Sequence, residues 1–339
     1  MTLAWRPAVA SYTMRHVDLN QFDLNLLIAL DALLTEKSVT RAGARMHLSQ
    51  SAMSGALARL RRAFDDDLLV PIGRRMDLTP LGRELVQPLQ DILLQIHSTM
   101  TTRAKFDAAT SDRHFSVAVS DYVTTILLQD LLQRLASSAP RVTFDLQPIG
   151  PRALEDLERG HLDFLIAPRG FESPLHPTAV LFDESYTCVV WRGNTAVRST
   201  LSLQQYLALG HVVVCVSKVH GPNFDEQVLR RLGYTRRAEV STSSFDLAPQ
   251  LVVGTDRVAT IATRLACAYA RLLPLKLLPV PFDMPPMTEM LQWHHAHELD
   301  PAHLWLRGEL RQAAARLPVA STDAGRPRRP PRRRTVAAA

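Results

Sequence analysis

Two helix starts set close together constrain this chain more than any other feature. Ser38 can cap a short helix running from Val39 to about Met46, and Ser49 can cap another from Gln50 to about Phe64; only the turn at His47-Leu48 separates them. In the second run Met53, Ala56, Leu57, Leu60 and Phe64 recur at spacings of three and four, which gathers them on one buried face. Upstream, Leu24, Leu27, Ile28, Leu30, Leu33 and Leu34 put an apolar stripe on a first helix. A small three-helix unit is expected, with its third helix packed along one side and exposed along the other.

The exposed side has its own chemistry. Ser51, Ser54, Gly55, Ala58 and Arg62 point away from the buried face, flanked by Gln50 and Arg59. Small residues allow close approach to a surface, Gln and Ser offer hydrogen bonds to base edges, and Arg meets phosphate, so this is the face a helix needs in a major groove. Glu36 to Phe64 carries six basic residues and one acidic one. An ordinary helical hairpin with a solvated face fits the periodicity equally well. The next stretch favours nucleic acid: Leu68-Leu69-Val70 and Met76-Asp77-Leu78 read as two short strands joined by a basic turn, Gly73-Arg74-Arg75, a wing able to reach the DNA backbone or minor groove.

Charge matters here by location. The whole chain of 339 residues carries a net +6, but residues 321–339 hold six Arg and one Asp, a local +5. The basic balance therefore mostly describes a Pro/Arg/Ala-rich tail, expected to be disordered and able to add non-specific DNA affinity through counterion release. Residues 1–17 are expected to form a leader, with Met14 as an alternative start, and 18–78 the winged helix-turn-helix. Thr79-Pro80 starts a long helix over 79–105, whose stripe Leu81, Leu85, Leu89, Ile92, Leu93, Ile96 and Met100 suits a helix pair in a dimer, with Pro88 expected to kink it. Residues 106–112 form a polar joint, and 319–339 the tail.

Between them, residues 113–318 alternate short β-rich runs with helical patterns, which predicts parallel sheets with helices on both faces. Strands are expected near 115–119, 142–146, 162–166, 186–191, 211–216, 237–241, 258–261, 275–279 and 288–293, closed by a helix from Pro301 to about Leu317. Ligands of open α/β sheets sit at the carboxyl ends of strands. That rule selects Ser120, Asp121 and Tyr122, then Pro168 and Arg169, then Ser217 to His220, with Phe224, Ser244 and Phe245 as candidates for an apolar wall.

At this level of detail the chain resembles the LysR-type transcriptional regulators. The likeness rests on Ala42-Gly43-Ala44, Leu48-Ser49-Gln50-Ser51-Ala52, Ser54, Leu57, Leu60, Asp67-Leu68-Leu69 and Leu78-Thr79-Pro80-Leu81-Gly82. Phe22 to Leu27 and Asp31-Ala32-Leu33-Leu34-Thr35-Glu36 resemble the branch holding the nodulation-gene activators and the naphthalene/salicylate-type regulators. The likeness runs on through Gly160 to Pro168, Leu181-Phe182-Asp183-Glu184, Trp293-His294 and Asp300-Pro301, covering about residues 18–315. Ser51, Arg61 and Leu69 depart from the residues common in the family, as does Ser185, which stands where relatives have a cleft His.

The resemblance implies an α+β multidomain chain: an N-terminal winged helix-turn-helix, a long linker helix and a C-terminal two-lobe α/β effector domain like a periplasmic binding protein. It implies a DNA-binding activator that responds to a small organic, aromatic effector. Its partners would be double-stranded DNA, the effector, a second copy in a dimer or tetramer, and RNA polymerase. Thr40, Gln50, Ser51, Ser54, Arg59, Arg62, Arg74 and Arg75 form the expected DNA contacts. Ser120, Asp121, Tyr122, Pro168, Arg169, His220, Phe224 and Phe245 form the expected effector contacts. A metal- or aliphatic-ligand-responsive repressor of the same fold is the alternative.

Other classes lack their motifs. No G-x-S-x-G, P-loop, G-x-G-x-x-G or H-E-x-x-H occurs and only four Lys are present, so neither catalysis nor a cofactor is expected. His294, His295, His297 and His303 cluster in sequence, and His295 and His297 would share a face of a strand; without nearby Cys or spaced carboxylates, no metal site is expected. Cys188, Cys215 and Cys267 are odd in number and far apart, which suits a reducing compartment. With no apolar run of about 18 residues and no secretory h-region, a cytoplasmic protein without a membrane partner is expected. A stand-alone solute-binding protein would need such a signal and would leave residues 18–78 without a purpose.

Overall fold

The computed structural model describes residues 23–73, 75–101, 106–215 and 223–320. The chain divides into two compact units, residues 1–96 and 97–339. The expected leader, residues 321–339 of the expected tail, Arg74 and the Ser217–His220 segment lie outside the described residues.

The first unit opens with α1 (Asn25–Glu36), α2 (Val39–Arg45) and α3 (Gln50–Phe64). Both expected serine caps form: Ser38 Oγ accepts from Arg41 N–H and Ser49 Oγ from Ala52 N–H at 3.2 Å, so each hydroxyl satisfies an otherwise orphaned helix donor. Between α2 and α3, Leu48 N–H returns to Gly43 O at 2.8 Å and closes the turn.

The buried face of α1 differs from the expected stripe. Leu26, Ala29, Leu30, Leu33 and Leu34 point inward, while Leu24 and Ile28 are 57% and 51% exposed. Leu26-Leu27-Ile28 offers an apolar residue on every side, so spacing alone does not choose the face; packing against Met53, Leu57 and Leu60 does.

Strands β1 (Leu69–Ile72) and β2 (Arg75–Leu78) pair antiparallel through Leu69–Leu78 to Ile72–Arg75, with Gly73 at φ +63 in the turn, a conformation Gly adopts without a Cβ clash. Arg61 holds the wing to α3: its Nε donates to Asp67 O and its Nη2 to Leu69 O, both at 2.8 Å. Helix α4 (Pro80–Thr101) begins where Thr79 Oγ1 accepts from Gly82 N–H at 3.0 Å. Pro88 lies within α4 on an exposed position rather than in the buried stripe, and the helix continues through it. Leu89 is buried, whereas Ile92 and Ile96 are left exposed.

The second unit holds two five-stranded sheets. After β3 (His114–Ala118), α5 (Asp121–Val123) passes through a π-helical turn, Thr124–Leu128, into α6 (Gln129–Ser138). There follow β4 (Thr143–Gln147), α7 (Ala153–Glu158), β5 (Phe164–Pro168) and β6 (Thr178–Glu184). The chain then enters the second lobe through β7 (Tyr186–Trp191), α8 (Leu203–Ala208), β8 (Gly210–Val214), α9 (Phe224–Arg231), β9 (Arg237–Thr242), β10 (Val258–Ala262), α10 (Thr263–Tyr269) and β11 (Leu275–Leu278). It returns through β12 (Met287–Gln292), a 3₁₀ turn at His295–His297 and α11 (Pro301–Ala315).

The sheets are mixed, not wholly parallel. Their orders are β4-β3-β5-β12-β6 and β11-β7-β10-β8-β9. Strand β12 runs antiparallel to both β5 and β6, and β7 antiparallel to β10 and β11. The reason is the double crossing: β6 passes into β7 across the single residue Ser185, and β12 brings the chain back. Strand β6 was absent from the sequence-based strands. The 3₁₀ turn also removes the expected strand face shared by His295 and His297.

Gly82 sits where an added Cβ would meet Leu68 O at 2.6 Å. Gly82→Ala should therefore lower the stability of the first unit by about 1–3 kcal/mol, although Ala is favoured in a free helix by about 1 kcal/mol. Urea unfolding measures it, and a stabilised variant would contradict the close approach.

Candidate effector cavity and DNA-facing helix

On α3, Gln50, Ser51, Ser54, Arg59 and Arg62 are exposed, as are Thr40 on α2 and Arg75 on the wing. They share the first unit, and the α3 set forms one strip opposite Met53, Ala56, Leu57 and Leu60. Three are partly engaged: Ser51 Oγ lies 3.0 Å from Ser49 Oγ, Arg62 Nε donates to Ala58 O at 3.3 Å, and Arg59 Nη1 pairs with Asp23 Oδ2 at 3.3 Å. At this exposure the Arg59 pair is weak and screened by salt, so a phosphate can replace it. Arg74 lies outside the described residues.

The second unit encloses a cavity of about 440 Å³ between its lobes, a volume suited to a small organic ligand. The expected Ser120, Tyr122, Pro168, Arg169, Phe224 and Phe245 all line it. Ser120 caps α5 by accepting from Val123 N–H at 3.2 Å, which fixes the chain at the carboxyl end of β3. Aromatic rings form much of the wall: Tyr186 stacks on Phe224 with centroids 5.7 Å apart, and Tyr122 meets Phe245 at 6.1 Å.

Asp121 does not line the cavity, contrary to expectation. Its Oδ2 accepts from Ser244 Oγ at 2.6 Å and Asp246 N–H at 3.2 Å, so it ties the end of β3 to the segment after β9. Ser244 is engaged in that tie and is not among the lining residues. His220 lies outside the described residues. Ser185 donates to Thr263 Oγ1 at 2.8 Å.

Sequence reasoning missed the buried carboxyls at the cavity: Glu289 and Asp225 line it, and Glu184 bonds Tyr122. Glu184 is 1% exposed; its Oε2 accepts from Tyr122 OH at 2.5 Å and pairs with Arg264 Nη1 at 3.1 Å. Glu289, 2% exposed on β12, lines the cavity directly. Its Oε2 finds no hydrogen-bond partner among the described residues. Burial, and after it the Glu184 charge, pushes the Glu289 carboxyl up to about 8. Burial likewise raises the Tyr122 phenol well above its ordinary value, with Glu184 adding to it.

A helix-turn-helix and wing in one unit and a ligand-sized cavity between two α/β lobes in the other are matched by known families. The model of the LysR substrate binding domain matches residues 108–315, and that of the bacterial regulatory helix-turn-helix protein, lysR family, matches residues 24–83. The chain belongs to the LysR family of transcriptional regulators. Nodulation protein D 3 of Rhizobium leguminosarum bv. phaseoli is 41% identical over 87% of this chain and 98% of its own. Nodulation protein D 1 of Mesorhizobium japonicum is 40% identical over 91% and 98%. Among solved structures, a probable transcriptional regulator from Pseudomonas aeruginosa is 30% identical, with a TM-score of 0.59, over 87% of this chain and 98% of that one. Full-length OxyR from the same organism shares the fold at 19% identity and a TM-score of 0.62, over 87% and 95%. Among the described residues no helix is long and apolar enough to cross a membrane.

This LysR regulator also carries two histidine groups outside the cavity. His176, His294 and His295 bring ring nitrogens within 4.8 Å of one another. His294 Nδ1 accepts from Ala296 N–H at 3.1 Å, which leaves the proton of the neutral ring on Nε2 and makes that nitrogen a poor metal ligand. In the second group His303 Nε2 meets Asp163 Oδ1 at 2.8 Å, and Asp163 Oδ2 accepts from Ser116 N–H at 2.8 Å. Burial pushes Asp163 up, but His303, that N–H and Arg113 together hold it below the ordinary carboxylate value. These contacts pin α11 to the first lobe.

The raised carboxyl gives a pH signature. Glu289 holds its proton up to about pH 8 in the folded state and releases it near 4.5 when unfolded, so its contribution is complete below 4.5 and lost as pH rises through 8. Glu289→Gln should gain on the parent across that window by up to about 1.4 kcal/mol per pH unit. Thermal unfolding from pH 4.5 to 8.5 measures this, and parallel profiles would contradict it.

Proposed function

We propose that this LysR-type regulator is a one-component, ligand-responsive activator acting in the bacterial cytoplasm. Two or four copies would present their α3 helices to an interrupted palindrome. A small aromatic or phenolic compound, or an aromatic acid, would enter the cavity between the lobes. The aromatic-walled cavity carries this reading: Tyr186, Phe224, Tyr122 and Phe245 offer ring faces that a planar ligand can stack on. Binding would favour one arrangement of lobes and dimer over another and so change the spacing or bend of the bound DNA. Activation is supported by the likeness to the nodulation proteins, and RNA polymerase would be the partner served. The exposed Ile92 and Ile96 on α4 support a helix-paired dimer.

A thermal-shift screen of the full chain against phenolic, flavonoid-like, aromatic-acid and aliphatic-acid panels tests the ligand class. A compound that binds only the folded state raises the melting temperature with concentration. A rise confined to aromatic compounds and weakened in Phe245→Ala is expected; a response to aliphatic acids alone would overturn the aromatic reading.

The DNA-facing role gives a separate outcome. Gln50→Ala should cost about 1–3 kcal/mol on DNA selected by the protein and little on random DNA. Fluorescence anisotropy measures both, and equal weakening would remove Gln50 from base reading.

A further inference from the structure

The cavity's polar equipment is unusual for a site meant to hold an acid. The cations near its inner wall are already engaged. Arg264 pairs with Glu184 and also donates to Asp183 O at 2.7 Å and Pro318 O at 2.8 Å. Arg236 is locked between Asp225 at 2.7 Å and Glu226 at 3.0 Å. Arg169 and Arg231 line the cavity but are exposed, where water screens them. The wall instead presents carboxyls and phenols: buried Glu289 from β12, Tyr122 from α5 and Asp225 from α9, with half-buried Tyr186 from β7, and Glu184 from β6 bonded to Tyr122.

Most of these groups have partners. Tyr122 OH donates to Glu184, and Tyr186 OH contacts Met287 Sδ at 3.3 Å. Glu289 Oε2 alone combines full burial, a place on the cavity wall and no partner among the described residues. A buried polar oxygen without a partner is costly, and a ligand that completes its hydrogen bonding recovers that cost on binding.

We propose that Glu289 is a specificity-determining residue of the cavity: its carboxyl donates a hydrogen bond to a carbonyl or phenolic oxygen of an uncharged aromatic ligand and disfavours carboxylates. The proposal rests on the effector reading above and narrows its ligand class. A carboxylate placed beside Glu289 would lose its hydration against a wall whose nearby cations are engaged, with the Glu184 charge close by. An uncharged oxygen meets no such cost. Its raised protonation point means that Glu289 carries the required proton at neutral pH. Burial, and after it the Glu184 charge, favours this protonated form.

Three probes on one ring system separate the chemistries: 2-acetylnaphthalene, 2-naphthoate and 2-(aminomethyl)naphthalene, titrated calorimetrically into the full chain. The ketone should bind at least about tenfold more tightly than the carboxylate at pH 7, the scale of one buried hydrogen bond. Its affinity should fall as pH rises through 8, with Glu289→Gln retaining affinity and losing the pH dependence because an amide remains a donor. Glu289→Leu should bind about tenfold more weakly than the parent at pH 7, with no pH dependence of its own. If the Leu variant does not fold, the parent–Gln comparison across pH decides alone. Equal or tighter binding of the carboxylate, or preference for the amine with affinity rising with pH, would overturn the donor role while leaving a ligand cavity in place. Binding of none of the three would overturn this proposal and count against the aromatic reading together.

Discussion

The C-terminal unit depends on one buried acid, Glu184. It stands at the last position of β6, one residue before the chain crosses into the second lobe. Tyr122, on the short helix after β3, donates to it, and Arg264, on α10 of the other lobe, pairs with it. An ion pair buried this deeply is costly to break from one side because the remaining charge is left unpaired. One carboxylate thus joins the crossing point to both lobes and holds the wall that Glu289 shares. Because the pair is satisfied, it serves as a fixed support rather than as a ligand contact.

The two ends of the chain solve different physical problems. The N-terminal unit needs a rigid helix whose outward face is small and polar, so the helix is held from behind by Met53, Leu57 and Leu60 and from the side by Arg61 on the wing. In the proposed function, the exposed Ser and Gln side chains there face no burial cost until DNA arrives. The C-terminal unit needs space, so its strand ends stop short of a cavity and aromatic rings line the gap. Its rigidity comes from neighbouring ties such as Asp121 to Ser244 and Asp163 to His303. Rigid ties around a hollow allow a ligand's contacts to bias the relation between lobes instead of being absorbed by loose side chains.

Much of this was legible because local chemistry determined it. Ser38 and Ser49 announce helix starts that depend only on neighbouring backbone donors, and the α3 periodicity identifies the buried face directly. The strand-end rule selected Ser120, Tyr122, Pro168 and Arg169, which do line the cavity, since it follows from how open α/β sheets end. Where tertiary packing decides, the sequence is ambiguous. Leu26-Leu27-Ile28 gives α1 no unique inward face. Nothing in the local sequence marks Glu289 as buried; its burial follows only once β12 is inserted between β5 and β6. His176 lies more than a hundred residues before His294, so no local spacing announces that they meet. Asp121 sits at the right strand end, but its partners at 244–246 arrive only with the completed fold.

The central claim is that occupancy of the cavity and DNA binding are coupled. Linkage makes this measurable without knowing the natural effector, because a ligand that changes DNA affinity by some factor must have its own affinity changed by DNA by the same factor. The measurement is a closed cycle on the full chain: DNA selected by the protein from a random pool, and the tightest-binding uncharged aromatic probe, each titrated with and without the other. The account predicts that both affinities shift, by matching factors. A probe that fills the cavity while both affinities stay unchanged would contradict it.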